Sequence, residues 1–305
     1  MTDGPGFAVR TDIGLVRTGN EDRSLTMPPV FAVADGMGGH QAGEVASGLA
    51  IDLLEETAAR SPSPTAHDVV DAIERSNAAI RSEARLRSDL AGMGTTCTVV
   101  VVDSVIHVAH VGDSRAYIYR DGQLVQLTED HSLVASMVRE GIIAPADAST
   151  DRRRNILTRA LGAEDQVQVD VVTAERAPGD RILLCSDGLH GQVADAAITS
   201  VLGDAMDPAT AAERLVGLAN AAGGDDNVTV IVIDPDAIVA APPATVPDVL
   251  VETARVATVD PSPTVSADPT RRRLPMRRIL LFALVVLAIV VIAIASWQWL
   301  QSTRA

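Results

Sequence analysis

Cysteine is scarce in this sequence: Cys97 and Cys185 are the two in 305 residues. Both sit inside apolar, strand-like runs. That pattern argues against a disulfide framework or a zinc site, and for small buried side chains in a reducing compartment. Positive charge is also short, with 25 Lys plus Arg against 40 Asp plus Glu and a net charge of −15. Six arginines and no acid lie from Arg271 onward, so residues 1–270 carry −21. A body this acidic repels phosphate backbones, which excludes nucleic acid as an expected partner. Met1 to Arg10 lack the apolar stretch of a signal peptide. No internal repeat and no nucleotide-binding glycine loop are found.

What is abundant is apolar sequence, 47% of the chain. From Ile279 to Ser296 there are 18 residues without a charge, and none appears until Arg304. At about 1.5 Å per residue a helix of that length crosses the ~30 Å hydrocarbon layer. Trp297 and Trp299 lie where interfacial aromatics belong, and Arg271–Arg273 with Arg277 and Arg278 precede the run. The positive-inside rule then puts everything upstream in the cytoplasm. The expected organisation is a globular domain over 1–237, a Pro/Ala/Thr linker and basic segment over 238–278, a single membrane span over 279–300 and a short tail over 301–305.

Within the globular part, Phe7 to Asp12 reads as a strand and Val16 to Arg23 as a polar loop. Val45, Leu49, Leu53 and Leu54 recur at helical spacing up to Arg60, where Ser61-Pro62-Ser63-Pro64 stops the helix. A second helix carries Val69, Val70, Ile73, Ile80 and Ala84 on one face. Strands follow at 95–102, 105–111, 116–120 and 123–127, joined by hairpin-like Asp103-Ser104 and Asp121-Gly122. Adjacent hairpins predict antiparallel sheet and not βαβ units. Residues 131–165, with a short helix near 132–140 and the run Arg152-Arg153-Arg154, read as a flap or a solvated excursion. Strands at 167–173, 181–186 and 228–234 and helices near 194–202 and 209–222 complete the domain.

The chemistry-bearing stretch is Val30-Phe31-Ala32-Val33-Ala34-Asp35-Gly36-Met37-Gly38-Gly39-His40. A carboxylate at the end of a buried strand, beside glycines that permit close approach, suits a hard cation. Asp-Gly is equally a common turn pair, so alone it leaves both readings open. Asp113 in Val111-Gly112-Asp113-Ser114-Arg115, Asp187 in Ser186-Asp187-Gly188 and Asp226 in Asp225-Asp226-Asn227 share its context. Buried carboxylates gathered without partners would repel one another at a cost of several kcal/mol, and divalent cations are the usual compensation.

Taken in order, Arg17…Glu21-Asp22, Asp35-Gly36-x-Gly-Gly, Gly94-Thr95-Thr96, Gly112-Asp113-Ser114-Arg115, Ser186-Asp187-Gly188 and Asp226-Asn227 resemble the metal-dependent protein phosphatase family (PPM, type 2C) over residues 7–234. With its linker and span, the chain looks like the membrane-anchored bacterial members that oppose Ser/Thr protein kinases. The resemblance implies an α+β, four-layer αββα sandwich of two antiparallel sheets flanked by helices. It also implies that Asp35 bridges two Mn²⁺ or Mg²⁺ ions and that the Gly36 carbonyl completes one coordination sphere. Asp187 and Asp226 would hold the first metal, and Glu21, through water, with Asp22 beside it, the second. Asp113 matches the ligand of a weaker third ion, and Arg17 the arginine that receives the substrate phosphate. Phosphorylated proteins, membrane kinases among them, are the implied partners of a monomeric catalytic domain.

Oxygen ligands without His or Cys select Mg²⁺ or Mn²⁺ over zinc. Where eukaryotic members carry a histidine proposed as general acid, this chain has Met37. His40, His131 and His190 are the nearby alternatives, and a metal-bound water is the expected proton source. Two competing functions are a catalytically silent phosphoprotein-binding module and a two-metal hydrolase of nucleotides or small phosphate esters. The first is disfavoured by the presence of Asp35, Asp187 and Asp226, the second by the acidic body.

Overall fold

A computed structural model describes residues 3–38 and 42–239. The chain runs β1 (Phe7–Asp12), β2 (Asp22–Met27), β3 (Val30–Met37), α1 (Ala42–Arg60), α2 (Ala66–Leu86), β4 (Gly94–Thr95), β5 (Cys97–Val102) and β6 (Val105–Val111). It continues through β7 (Arg115–Arg120), β8 (Gln123–Gln126), α3 (Leu133–Arg139), β9 (Asp170–Glu175), β10 (Arg181–Cys185), α4 (Asp187–His190), α5 (Asp195–Asp204), α6 (Pro208–Ala221), β11 (Val228–Ile233) and α7 (Pro235–Val239).

Two sheets form, one ordered β1-β11-β10-β7-β8 and the other β2-β3-β5-β6-β9, with β4 pairing β3. The strand pairs within them are antiparallel. Alternation along each strand builds the layers. Phe31 and Val33 of β3 join Phe7, Val9, Val100, Ile106, Ile182, Leu184, Ile231 and Ile233 in the core between the sheets. Ala32 and Ala34 point the other way, onto Ala46, Ala50, Leu54, Ile73 and Ile80 of α1 and α2. The outer face of the first sheet buries Leu183, Cys185, Val230 and Val232 under Ile198, Leu202, Ala212 and Leu215 of α5 and α6. This is the expected α+β arrangement of helices on both faces of paired sheets.

Several details depart from the sequence reading. β2 is a strand where a polar loop followed by nothing regular was expected, because DRSLTM buries just Asp22 and Leu25 in full. α1 buries Ala42, Ala46, Ala50, Ile51 and Leu54, whereas Val45, Leu49 and Leu53 are not fully buried. Small alanines facing Ala32 and Ala34 let the helix lie close to β3, so the inward stripe combines Ala42, Ala46 and Ala50 with Ile51 and Leu54, and Val45 and Leu49 pack at its margin. β9 begins at Asp170, three residues later than the apolar run suggested, since Val167 and Val169 pack against the α1–α2 core before the strand starts. No helix among the described residues is long and apolar enough to cross a membrane. The linker from 240, the run 279–300, the tail 301–305 and His40 lie outside the described residues.

Candidate metal centre

The inter-sheet layer changes character at one end. Following the parity of Phe31 and Val33 along β3, Asp35 points between the sheets, and Asp22 lies directly across from it in the β2–β3 register. From the facing sheet, Ser186 at the end of β10 donates to Asp22 Oδ2 at 2.7 Å, and its Oγ accepts from Thr229 N at 2.9 Å. Asp35 is held by its backbone: its N donates to Thr96 Oγ1 at 2.9 Å, and its carbonyl accepts from Thr96 N at 2.9 Å and from Thr95 Oγ1 at 2.9 Å. The Gly94-Thr95-Thr96 segment therefore fixes where β3 delivers its carboxylate.

Four loops bring the remaining acids. Asp187 opens α4, close enough to Asp35 for the two carboxylates to shift one another's titration. Asp226 precedes β11 and receives Arg17 Nη2 at 2.6 Å. Asp113 follows β6 and is 8% exposed. Glu21 precedes β2; its N donates to Asn227 Oδ1 at 2.8 Å, and its carbonyl accepts from Ser47 Oγ at 2.6 Å and Gly36 N at 3.2 Å. The Glu21 carboxylate lies against the first turn of α1. A Cβ on Gly43 would sit 2.5 Å from Glu21 Oε2, and one on Gly36 would sit 2.2 Å from the Gly43 carbonyl. Two glycines are thus required for α1 and β3 to meet at this edge.

The carboxylates shape one another's titration. Burial, then the charges of Asp22, Asp187, Asp113 and Asp226, drive Asp35 far above the carboxylate range. Burial raises Asp22, against hydrogen bonds from Ser186 and Thr229 that lower it. Burial and the Asp187 charge raise Asp113. Burial and Asp226 raise Asp187, partly offset by the Asp35 hydrogen bond and by the charges of Arg17 and Arg154. Burial and the neighbours' charges thus favour the protonated form of each of these carboxylates. Asp22 Oδ1 is buried without a hydrogen-bond partner.

Arg17, Asp113, Asp187 and Asp226 line one cavity of about 900 Å³, with Arg154 and Asn155 of the 131–165 segment on its far wall. The segment expected as a flap therefore forms a side of the site. Its arginines divide: Arg153 pairs with Asp151 at 2.8 Å on the surface, whereas Arg154 faces the cavity. Arg152, Arg153 and Arg154 are all exposed, as the solvated reading expects, and Arg154 also lines the cavity.

The structure brings together Arg17, Asp35, Asp113, Asp187 and Asp226, with Glu21 and Gly36 at the adjoining β3–α1 edge. Asp22 belongs with them more deeply than the sequence indicated, and the signal was its register opposite Asp35. Among the described residues, no group of three or more His, Cys, Asp or Glu side chains is already disposed to hold a metal ion. The carboxylates' convergence shows in the charge effects they exert on one another. Met37 packs on Gly94, where a Cβ would lie 3.1 Å from its Cε. His131 bonds Gly112 N and Asp170, and His190 Nε2 bonds the Asp113 carbonyl at 3.0 Å. Neither ring is poised as the proton donor considered from sequence.

Residues 14–228 match the family described as Protein phosphatase 2C. The chain is 42% identical over 230 residues to "Serine/threonine protein phosphatase PstP" of Mycobacterium tuberculosis, covering 75% of this chain and 44% of that protein. It is 39% identical over 236 residues to "Serine/threonine phosphatase stp" of Listeria innocua, covering 74% of this chain and 94% of that one. Among solved structures, the catalytic domain of the serine threonine protein phosphatase PstP in complex with two manganese ions superposes with a TM-score of 0.68 at 41% identity. That match covers 75% of this chain and 96% of the other. The chain thus spans less than half the length of its mycobacterial relative.

Proposed function

The chain belongs to the protein phosphatase 2C family, and from that premise we infer that it hydrolyses phosphoserine and phosphothreonine in proteins. The observation that carries the reading is that Arg17, Asp113, Asp187 and Asp226 line one cavity, with Asp35 near enough to feel the charges of Asp187, Asp113 and Asp226. Divalent cations fit this site. Its donors are oxygens, its carboxylates outnumber the arginines among them, and one buried carboxylate oxygen, Asp22 Oδ1, is orphaned. Asp35, Asp187, Asp226, Glu21 and the Gly36 carbonyl would hold two Mn²⁺ or Mg²⁺ ions, and Asp113 would contribute to a third, weaker site. Such ions, when bound, neutralise the carboxylates and supply a water ionised near neutral pH.

The chain's own residues then do the following. Arg17, half exposed and anchored on Asp226, presents its guanidinium to the phosphate oxygens. Asp226 orients that fork, so its carboxylate serves both arginine and cation. Arg154 adds positive charge from the opposite wall, where it is already felt at Asp187. Phosphoryl transfer draws mainly on positioning and charge stabilisation, which this arrangement offers without an enzyme nucleophile.

The reading extends to location. The uncharged run 279–300, with arginines before it and tryptophans at its end, would tether the domain at the cytoplasmic face of the cell membrane. Membrane Ser/Thr kinases would then be near at hand as substrates and opponents. Phosphate release from a phosphothreonine peptide by the full chain tests the activity. Turnover is expected with Mn²⁺, is lost with EDTA and falls at least a thousandfold in Asp35→Asn. Peptide binding without turnover would instead identify a phosphoprotein-binding module, and preference for nucleotides a small-ester hydrolase.

A further inference from the structure

The Asp113 carboxylate stands on the three-residue turn Gly112-Asp113-Ser114 between β6 and β7, and the backbone of that turn is clamped from two sides. Gly112 has φ +113, and a Cβ there would lie 2.6 Å from Thr96 Cβ and Cγ2, so the turn accepts glycine alone. Gly112 N donates to His131 Nδ1 at 3.0 Å, and His131 N donates back to the Gly112 carbonyl at 2.7 Å. On the other side, His190 Nε2 donates to the Asp113 carbonyl at 3.0 Å.

The His131 bond dictates the tautomer. Because Nδ1 accepts from a backbone N–H, the ring proton sits on Nε2, which donates to Asp170 Oδ2 at 3.0 Å. Arg159 Nη1 reaches Asp170 Oδ1 at 2.5 Å and the Gln168 carbonyl at 3.1 Å. Both donors therefore converge on one carboxylate, and Asp170 holds ring and guanidinium side by side. His131 is 6% exposed, and its ring lies 4.7 Å from that of His110, so it has little room to turn.

The same residue closes the base of the 131–165 segment. Its carbonyl accepts from Thr158 N at 2.8 Å, Leu133 N donates to the Ile156 carbonyl at 2.8 Å, and Ser132 bridges Leu157. The two legs of the segment whose Arg154 lines the cavity are thus tied at His131. From there, one side chain passes to the Gly112 amide, one residue before Asp113.

We propose that His131 is a positioning residue: its ring holds the Gly112 amide, one residue before Asp113, against the base of the 131–165 segment and so aims the Asp113 carboxylate into the cavity. This rests on the reading of Asp113 as a cation ligand. It gives His131 a task distinct from proton donation. Asparagine at 131 keeps an acceptor where Nδ1 stands, whereas glutamine keeps a donor toward Asp170 and loses that acceptor.

The test uses the full chain carrying His131→Ala, His131→Asn or His131→Gln, alone and with Asp113→Ala. Two quantities are read for each: phosphate release at varied Mn²⁺, and Mn²⁺ affinity by calorimetry. His131→Ala and His131→Gln are expected to lose at least tenfold in kcat and fivefold in Mn²⁺ affinity, and His131→Asn to recover most of both. In the Asp113→Ala background the His131 substitutions should change either quantity less than twofold, because the clamp has nothing left to aim. Equal recovery by glutamine and asparagine overturns the proposal, as does a loss that multiplies in full on Asp113→Ala. Should His131→Ala not fold, the Asn–Gln pair still decides. Absence of Mn²⁺-dependent turnover in the unsubstituted protein would sink the phosphatase reading, while the binding isotherms would still report the coupling.

Discussion

Two sets of buried aspartates in this molecule have opposite fates. Asp130 and Asp180 are each bound bidentately by an arginine: Arg115 reaches Asp130 at 2.9 and 2.7 Å, and Arg120 reaches Asp180 at 2.7 and 2.8 Å. Burial would raise both, and the arginines more than reverse it, so each lies below the usual carboxylate range. Asp22 and Asp113 are buried and Asp35 and Asp187 half-buried, but these four face chiefly one another, and each is pushed up. The first set stabilises the fold with the charges the chain supplies. The second lacks sufficient countercharge of its own and suits cations from outside.

The widest contrast is expected from breaking one member of each set. Asp187→Asn should lower Mn²⁺-dependent phosphate release at least a thousandfold, yet leave the metal-free thermal midpoint unchanged or higher, because it removes repulsion. Arg17→Ala should follow at about a hundredfold in kcat/KM, the loss expected of a phosphate fork. It should spare Mn²⁺ affinity within a few fold, as calorimetry can check. Asp180→Ala, far from the cavity, should cost about 2 kcal/mol in denaturant unfolding, since the Ala177 amide and one face of Arg120 lose their partner. Its kcat should stay within twofold.

The smallest effect concerns pH. A carboxylate whose folded pKa is raised stabilises fully below its unfolded value, near 3.8, and loses that contribution as pH rises through the folded value. For Asp187, Asp22 and Asp113 those values are about 6, 7 and 8. The EDTA-treated protein should therefore lose several degrees of thermal midpoint between pH 5 and 8.5. Saturating Mn²⁺, which binds the ionised cluster, should flatten or reverse the slope. A metal-free midpoint that climbs over this range would mean the carboxylates are not in mutual contact with their charges.

The sequence made the second set visible more readily than the first. Continuous runs such as Ala32-Val33-Ala34 and Ile182-Leu183-Leu184 are legible as strands buried on both faces, and an Asp at the end of each stands out. Gly36 and Gly112 likewise announce close approach. β2 was hidden because its mixed composition fits an edge strand as poorly as it fits a loop, and with it went the register that sets Asp22 against Asp35. The inner face of α1 was misread because alanine carries little hydrophobic signal, although close packing selects it. Arg115–Asp130 and Arg120–Asp180 join residues 15 and 60 positions apart, and nothing local marks either partner. The roles of His131 and His190 are of the same kind: both were noticed for proximity to motifs, but their bonds to the Asp113 turn come from tertiary placement.

Anomalous scattering from crystals of this protein grown with Mn²⁺ tests the central claim most directly. The account predicts two strong peaks about 3.5–4 Å apart, both in contact with Asp35 and flanked by Asp187 and Asp226. Manganese bound just at surface carboxylates, with none at Asp35, would contradict it.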